Sequence, residues 1–441
     1  MIRKKELLIW LFILIQNVLL YSTMLVLFLM IALIAPWVAI LRYMRSKAYL
    51  FFLLLCPFAW GQTLQQLIDA TPAGDTLVVN RHYSEYDVTI TQPIVLLGRG
   101  GQLDAGHKGG GFIVQSDGVE ISGMHIVNIK VSHTQNIAAI YLDKASDFVL
   151  KNNWISDAFF GILIEKSGGG EVFGNTISGV NTVQHRAGNG IHGWYCSGLK
   201  ITDNTLFAMR DGIYFEFVSD SQIKGNLAQD NLRYGLHFMF SNKNSYVDNI
   251  FDHNGSGVAV MFSSAVKMQG NTFSNAWGAH AYGLLLKEVT NSFLINNRFV
   301  GNTIAIQAEG LEKIDYRSND FIGNGWAVKF RGACYTNVFT ANNFIDNSYD
   351  IAYSGAVHNN EMQGNYWSKY RGYDLDHDKR GDIPYRPVLL SSVITTRTPE
   401  TLMLNSSLFM SLLNTAEDYF PILTPKTLID NTPLLYPFDR N

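Results

Sequence analysis

One asparagine recurs through the middle of the chain at Asn153, Asn175, Asn204, Asn226, Asn249, Asn271, Asn297, Asn319, Asn343 and Asn365, in steps of 22, 29, 22, 23, 22, 26, 22, 24 and 22 residues. A period of this kind specifies a stack of like units, each burying its apolar face on the next, in place of one globular core. Two positions after each asparagine runs an apolar column: Ile155, Ile177, Leu206, Ala228, Phe251, Phe273, Phe299, Phe321, Ile345 and Trp367. Three positions before it runs a second, from Leu150, Val172, Ile201, Ile223, Tyr246, Met268, Leu294 and Tyr316 to Thr340 and Met362. A polar residue held in register between apolar columns suits a coil corner, where its amide bonds the amides of the rungs above and below. Rungs stack ~4.8 Å apart, so ten would form a rod roughly 50 Å long.

The pattern predicts an all-β fold, a right-handed parallel β-helix of about 22-residue coils spanning roughly residues 90 to 366, with a C-terminal helical and extended tail. Ile94 to Gly98 and Val119 to Gly123 read as earlier, less regular coils. A leucine-rich repeat would need regular leucines and a helix per unit, and a propeller would need about 40 residues per unit. Neither is present.

Charged residues make up 16 % of the chain and hydrophobic residues 47 %, and much of that apolar excess lies at the N-terminus. The net charge of -3 gives no electrostatic footprint for nucleic acid. Residues 1–43 carry an apolar stretch from Leu7 to Leu41, long enough to span a membrane. Residues 44–61 then show Arg45 and Lys47, the apolar run Ala48 to Phe58 and the small residues Ala59 and Gly61, the pattern of a signal peptide. Either an anchor is kept, or Met44 is the true start. The second is favoured, because a complete signal peptide rarely sits behind another membrane segment. Both place the body, residues 62–388 with an end cap and 389–441 as a tail, outside the cytoplasm. Cys56, Cys196 and Cys334 are scattered and give no disulfide framework.

Each coil also has a strand that opens on a small residue, as in Gly161 to Glu165, Gly212 to Glu216, Gly235 to Met239, Gly257 to Met261, Gly283 to Lys287, Ala305 to Glu309 and Ala327 to Arg331. Side chains alternate along a strand, and the first and third positions after the small residue are apolar, so the second and fourth face outward. This maps one outer sheet. In its middle lie His237, Met239 and Met261, with His192, Trp194, Tyr214 and Glu216 just below. Thioether and imidazole suit Cu(I), which makes His237, Met239 and Met261 the candidate copper ligands. The exposed aromatic group around His192, Trp194, Tyr214 and Glu216 suits a partner contact. A polysaccharide-active β-helix is the rival reading, since such enzymes carry carboxylates on an outer groove. Glu165 and Glu216 lie outward about two rungs apart, with aromatic residues to stack on a sugar, but no paired aspartates recur in adjacent rungs.

After the last coil, Asp374, Asp376 and Asp378 alternate before Gly381 and Asp382, which resembles a calcium loop without its closing glutamate. The plainer reading is a charged turn that closes the rod's open edge. Beyond Val388 a helix is expected from Pro399 to Leu413, with Thr398 as N-cap, followed by an extended tail.

The segments Tyr234 to Ser241, Gly364 to Ser368, Gly372 to Asp374 and Asp382 to Pro387, together with the asparagine coils, resemble the NosD family over about residues 62 to 441. The resemblance implies a non-enzymatic periplasmic β-helix subunit of an ABC transporter, working with a NosF-like ATPase and a NosY-like permease. It implies a NosL-like copper chaperone and nitrous-oxide reductase as further partners, with transient copper as cargo. The chain has no phosphate-binding Gly-Lys motif, so ATP hydrolysis would fall to a partner. The C-terminal helix and tail would dock on the permease, giving membrane contact through it.

Overall fold

The computed structural model describes residues 14–27, 29–30, 62–179, 183–355, 357–404, 407–420 and 427–439. Residues 14–27 are helical, and the chain divides into two units, Met1–Gln62 and Thr63–Asn441. Among the described residues no helix is long and apolar enough to cross a membrane. The expected signal peptide at 44–61, with Cys56, lies outside the described residues.

The second unit is a right-handed parallel β-helix. Every strand pairs in parallel with the strand one coil away, forming a long first sheet, a thirteen-stranded second sheet and a twelve-stranded third sheet. A helix, Leu64–Ala70, covers the N-terminal end. Thr63 and Gln66 cap it reciprocally, and Glu85 accepts from the amides of Leu64 and Gln65. The first strand is Thr76–Val79, so the rod begins earlier than the asparagine repeat indicated.

The asparagine column is the buried ladder that the spacing predicts. In each rung the side-chain oxygen accepts from the backbone and side chain of the preceding asparagine, while the NH2 donates to a carbonyl one coil back. One position needs correction. The ladder runs from Asn319 through Asn342 to Asn365, and Asn343 instead opens a strand. Two adjacent asparagines leave the spacing ambiguous by one residue. The apolar columns decide it, because Phe339 and Phe344 are fully buried while Thr340 and Ile345 are partly exposed. A second ladder, unread in the sequence, runs through Asn302, Asn324 and Asn347, with an earlier pair at Asn231 and Asn254.

Inside the rod Phe251, Phe273, Phe299, Phe321, Phe344 and Trp367 form one stack, with ring centroids 4.1 to 5.4 Å apart. Each such pair adds about 0.5–1.5 kcal/mol beyond area burial. Cys196 and Cys334 are both buried and unpaired as disulfides.

The C-terminal end is closed by the chain itself. Residue Asp430 lies parallel to Met362, and Leu434 lies parallel to Tyr366, so this segment supplies a partial further rung. Buried Asp430 takes the place of the next ladder asparagine. Its Oδ2 accepts from Asn365 N, Asn365 Nδ2 and Trp367 Nε1, and its Oδ1 from Gly364 N and Thr432 N. The helix expected from Pro399 to Leu413 is divided. A short 3-10 turn, Pro399–Leu404, precedes a helix Leu408–Tyr419 whose cap is Ser407, and a separate helix Leu390–Arg397 packs on the last long strand. Ser407 offers a side-chain acceptor that starts a new helix, which the apolar spacing alone did not register.

Candidate functional site

The strands Ile191–Trp194, Asp211–Glu216, Tyr234–Met239 and Ser256–Met261 lie side by side in the third sheet. Their register sets His192 against Tyr214, Tyr214 against His237, and His237 against Ala259. The neighbouring column sets Trp194 against Glu216, Glu216 against Met239, and Met239 against Met261. All seven residues of the expected outer face are therefore brought together.

Outward direction does not mean exposure here. His237 is only 5 % exposed, which corrects the picture of a free surface imidazole. The Tyr214 ring lies edge-on between His192 at 4.7 Å and His237 at 5.1 Å, and the Tyr234 ring lies 5.0 Å from His237. The Tyr234 hydroxyl reaches Tyr282 OH at 2.9 Å, tying coils on this face together. His237 Nδ1 sits 3.7 Å from Asp211 Oδ2 and 3.4 Å from Arg233 Nη2, while its Nε2 is buried with no partner. Burial alone would raise the Asp211 carboxyl. Hydrogen bonds from Arg233 and His237 outweigh it and hold the group below the usual carboxylate range.

Met239 and Met261 are partly exposed. The Tyr214 hydroxyl is 3.7 Å from Met239 Sδ and 3.3 Å from Glu216 Oε2. Burial, reinforced by Glu216, pushes the Tyr214 phenol up to about 12. Burial also lowers His192 to about 4, with Arg210 adding to the effect, so its imidazole is neutral at pH 7. This face thus offers two thioethers, one neutral imidazole and one buried imidazole nitrogen without a partner, a soft donor set.

Beside it lies a cavity of about 250 Å³ lined by Asn136, Leu163, Glu165, His192, Trp194 and Glu216. Glu165 accepts from Tyr141 OH at 2.9 Å, Lys166 Nζ at 3.0 Å and Asn136 Nδ2 at 3.1 Å. Burial opposes its ionisation, but Lys166 and Tyr141 lower its pKa overall.

One feature of this edge escaped the sequence reading. Directly after the outer column come Tyr195, Phe217, Phe240 and Phe262, exposed rings stacked 4.6, 5.3 and 5.1 Å apart. All four have φ between 48° and 53°, a region that disfavours bulky residues. Their recurrence one position after Trp194, Glu216, Met239 and Met261 was the signal available. The pairing of Asp211 with Arg233 was missed as well, because it joins different coils.

In the end-cap loop the carboxylates of Asp374, Asp376 and Asp378 converge to within 4.8 Å of one another. Asp382 is directed elsewhere, accepting from Leu375 N at 2.7 Å. Asp374 accepts loop amides from Asp378 and Lys379, and Asp378 accepts one from Arg380, as in a self-satisfied turn.

A family described as "Periplasmic copper-binding protein (NosD)" matches residues 173–372, which contain the whole His/Met face. The chain is 30 % identical to the "Probable ABC transporter binding protein NosD" of Pseudomonas aeruginosa, over 76 % of this chain and 82 % of that protein. It is 27 % identical to the protein of the same description from Stutzerimonas stutzeri, over 79 % and 84 %. Among solved structures it is similar to the A-module of a mannuronan C-5 epimerase from Azotobacter vinelandii, with 14 % identity, TM-score 0.42 and coverage of 68 % of this chain and 90 % of that one.

Proposed function

The chain belongs to the NosD family, and on that premise we propose that it is a periplasmic accessory subunit of an ABC transporter that supports copper-site assembly in nitrous-oxide reductase. Cu(I) is the cargo, received from or relayed to a NosL-like chaperone at His237, Met239 and Met261. The observation that carries this reading is the register of Met239 against Met261, beside a His237 Nε2 that is buried and unpartnered. Two thioethers and an imidazole form a low-coordinate soft site that suits transient holding of Cu(I). The aromatic edge at Tyr195, Phe217, Phe240 and Phe262, with His192, Trp194, Tyr214 and Glu216, would form the chaperone contact.

The test is a Cu(I) titration against a competing chromophoric chelator, with and without a NosL-like chaperone. Wild type should hold one Cu(I) at least tenfold more tightly than Met239→Ala/Met261→Ala. Equal behaviour of the two proteins in both settings would remove this face from the reading.

Docking on a NosY-like permease, served by a NosF-like ATPase, falls to the C-terminal helices. Leu408, Phe409 and Leu412 on helix Leu408–Tyr419 are 60 to 76 % exposed, next to exposed Met403 and Phe420. An apolar face of this kind is matched to an apolar partner surface. Residues 427–439, expected in the docking tail, instead pack on the final coil, so the docking proposal rests on the helices alone. Leu408→Glu/Leu412→Glu should abolish co-purification with the permease while leaving the fold intact.

The polysaccharide-enzyme reading is favoured by one observation, the cavity that holds Glu165, Glu216, His192 and Trp194 together. New reducing ends or unsaturated products from acidic glycans would support it. Their absence with intact copper binding would dispose of it.

A further inference from the structure

The two nitrogens of the His237 imidazole have different surroundings. Nε2 is buried and meets no partner. Nδ1 faces Arg233 Nη2 at 3.4 Å and Asp211 Oδ2 at 3.7 Å. These two groups ask opposite things of Nδ1. A guanidinium N–H needs a lone pair there, which places the ring hydrogen on Nε2. A carboxylate oxygen needs the hydrogen on Nδ1, which leaves the lone pair on Nε2. A metal takes only the nitrogen that carries no hydrogen, so this choice decides whether Nε2 can serve as a ligand at all.

Arg233 is committed elsewhere. Its Nε donates to Asp211 Oδ1 at 2.7 Å and its Nη2 to Asp211 Oδ2, and its guanidinium lies 5.0 Å over the Tyr234 ring. The contact to Nδ1 is the longest of its polar contacts here. Asp211 is fully buried and also accepts from Tyr234 N at 3.3 Å. Burial opposes its ionisation, but the hydrogen bond from Arg233 holds the carboxyl below the usual range, so the group is an acceptor alone. The Nε2 side points the same way. A hydrogen there would be a buried donor without an acceptor, which folded proteins tolerate less well than a spare lone pair.

We propose that Asp211 is a positioning residue for the copper face, holding the ring hydrogen of His237 on Nδ1 and so keeping the Nε2 lone pair free for Cu(I). A short turn of the imidazole brings Nδ1 from 3.7 Å to bonding distance of Oδ2. Arg233 in turn fixes the carboxylate through its two-pronged bond. The strands Asp211–Glu216 and Tyr234–Met239 are neighbours, so the sheet itself sets the approach. This role rests on the reading of His237, Met239 and Met261 as the copper ligands.

The test begins on metal-free protein labelled with ¹⁵N in histidine. Long-range ¹H–¹⁵N correlation reads which ring nitrogen carries the hydrogen, and His237→Gln assigns the signals. Wild type should show the His237 hydrogen on Nδ1, and so should the protein loaded with Cu(I), which is diamagnetic. Asp211→Asn, whose NH2 group can donate to Nδ1, should move the hydrogen to Nε2. It should also weaken Cu(I) affinity about 10- to 100-fold against a chromophoric chelator, as loss of an outer partner of a ligating histidine does. Asp211→Glu keeps an acceptor and should recover part of that loss. A hydrogen on Nε2 in metal-free wild type would overturn the proposal, and this measurement needs no variant to fold. A folded Asp211→Asn protein that binds Cu(I) as wild type does would overturn it as well. Equal Cu(I) binding by wild type and Met239→Ala/Met261→Ala would instead overturn the copper reading and this role with it, though not a measured hydrogen on Nδ1.

Discussion

Replacing Asp430 with asparagine changes one oxygen to an NH2 group and leaves the shape alone, yet it should open the C-terminal end of the rod. Every interior ladder asparagine both accepts from one rung and donates to a carbonyl. Asp430 ends the ladder and meets five donors, three on Oδ2 at 2.9 to 3.1 Å and two on Oδ1 at 3.0 and 3.2 Å. In the least damaging orientation the new NH2 group faces Gly364 N–H and Thr432 N–H, and both lose their acceptor. A buried donor left unpaired costs about 1–3 kcal/mol, and the three remaining bonds each fall from a charged to a neutral acceptor. The sum is about 4 kcal/mol, a large share of ordinary stability. Because coils at a rod's end open before the middle, the assay is urea unfolding paired with hydrogen exchange at the Gly364 and Asn365 amides and the Trp367 indole N–H. Asp430→Asn should lose protection there while the middle coils keep theirs. If stability stayed within about 1 kcal/mol of wild type and protection were unchanged, the requirement for an acceptor-only terminal residue would be wrong.

Asn249→Ala removes an acceptor for Asn226 N and Nδ2 and a donor to Ile223 O, all buried, and should lower unfolding free energy by about 3–5 kcal/mol in a denaturant titration. His192 is depressed from 6.5 to about 4 by burial, so the unfolded chain binds the extra proton between those values; stability should be full above pH 6.5 and fall by up to roughly 3 kcal/mol toward pH 4, a slope that His192→Gln flattens. Asp350 behaves oppositely: burial raises it from 3.8 to about 6 despite Lys369, so the folded chain holds a proton the unfolded chain has released, and stability falls as pH rises through that window. Asp350→Asn should therefore raise the melting temperature at pH 7.5 and have little effect near pH 3.8. Millimolar Ca²⁺ should raise the melting temperature of wild type but not of Asp376→Ala if the converging Asp374, Asp376 and Asp378 carboxylates hold an ion; identical responses would leave them a charged turn.

The asparagine ladder was legible in the sequence because its chemistry admits so few residues, and the alternation after each small residue placed Tyr214, His237, Met239 and Met261 on the correct side of their strands. The slip at Asn343 shows the limit of spacing where two like residues are adjacent. The burial of His237 was not legible, since it depends on Asp211 one coil back and on the Tyr234 ring, and neither relation is written in local periodicity. The stacked Phe217, Phe240 and Phe262 were passed over because left-handed positions are read for glycine and asparagine, not for aromatic rings. The role of Asp430 was beyond reach, because it acts on Asn365 from 65 residues away.

That distance has a consequence for how the chain must be made. A rod of parallel coils grows by templating, each finished rung offering its open amides and carbonyls to whatever strand arrives next. While synthesis proceeds from Asn365 toward Asp430, the tip stays competent to capture a strand from a second nascent chain. A truncation before Asp430 should thus yield a product whose coils form yet join end to end, and the yield of separate rods would hinge on the delay between the last rung and the arrival of its stopper.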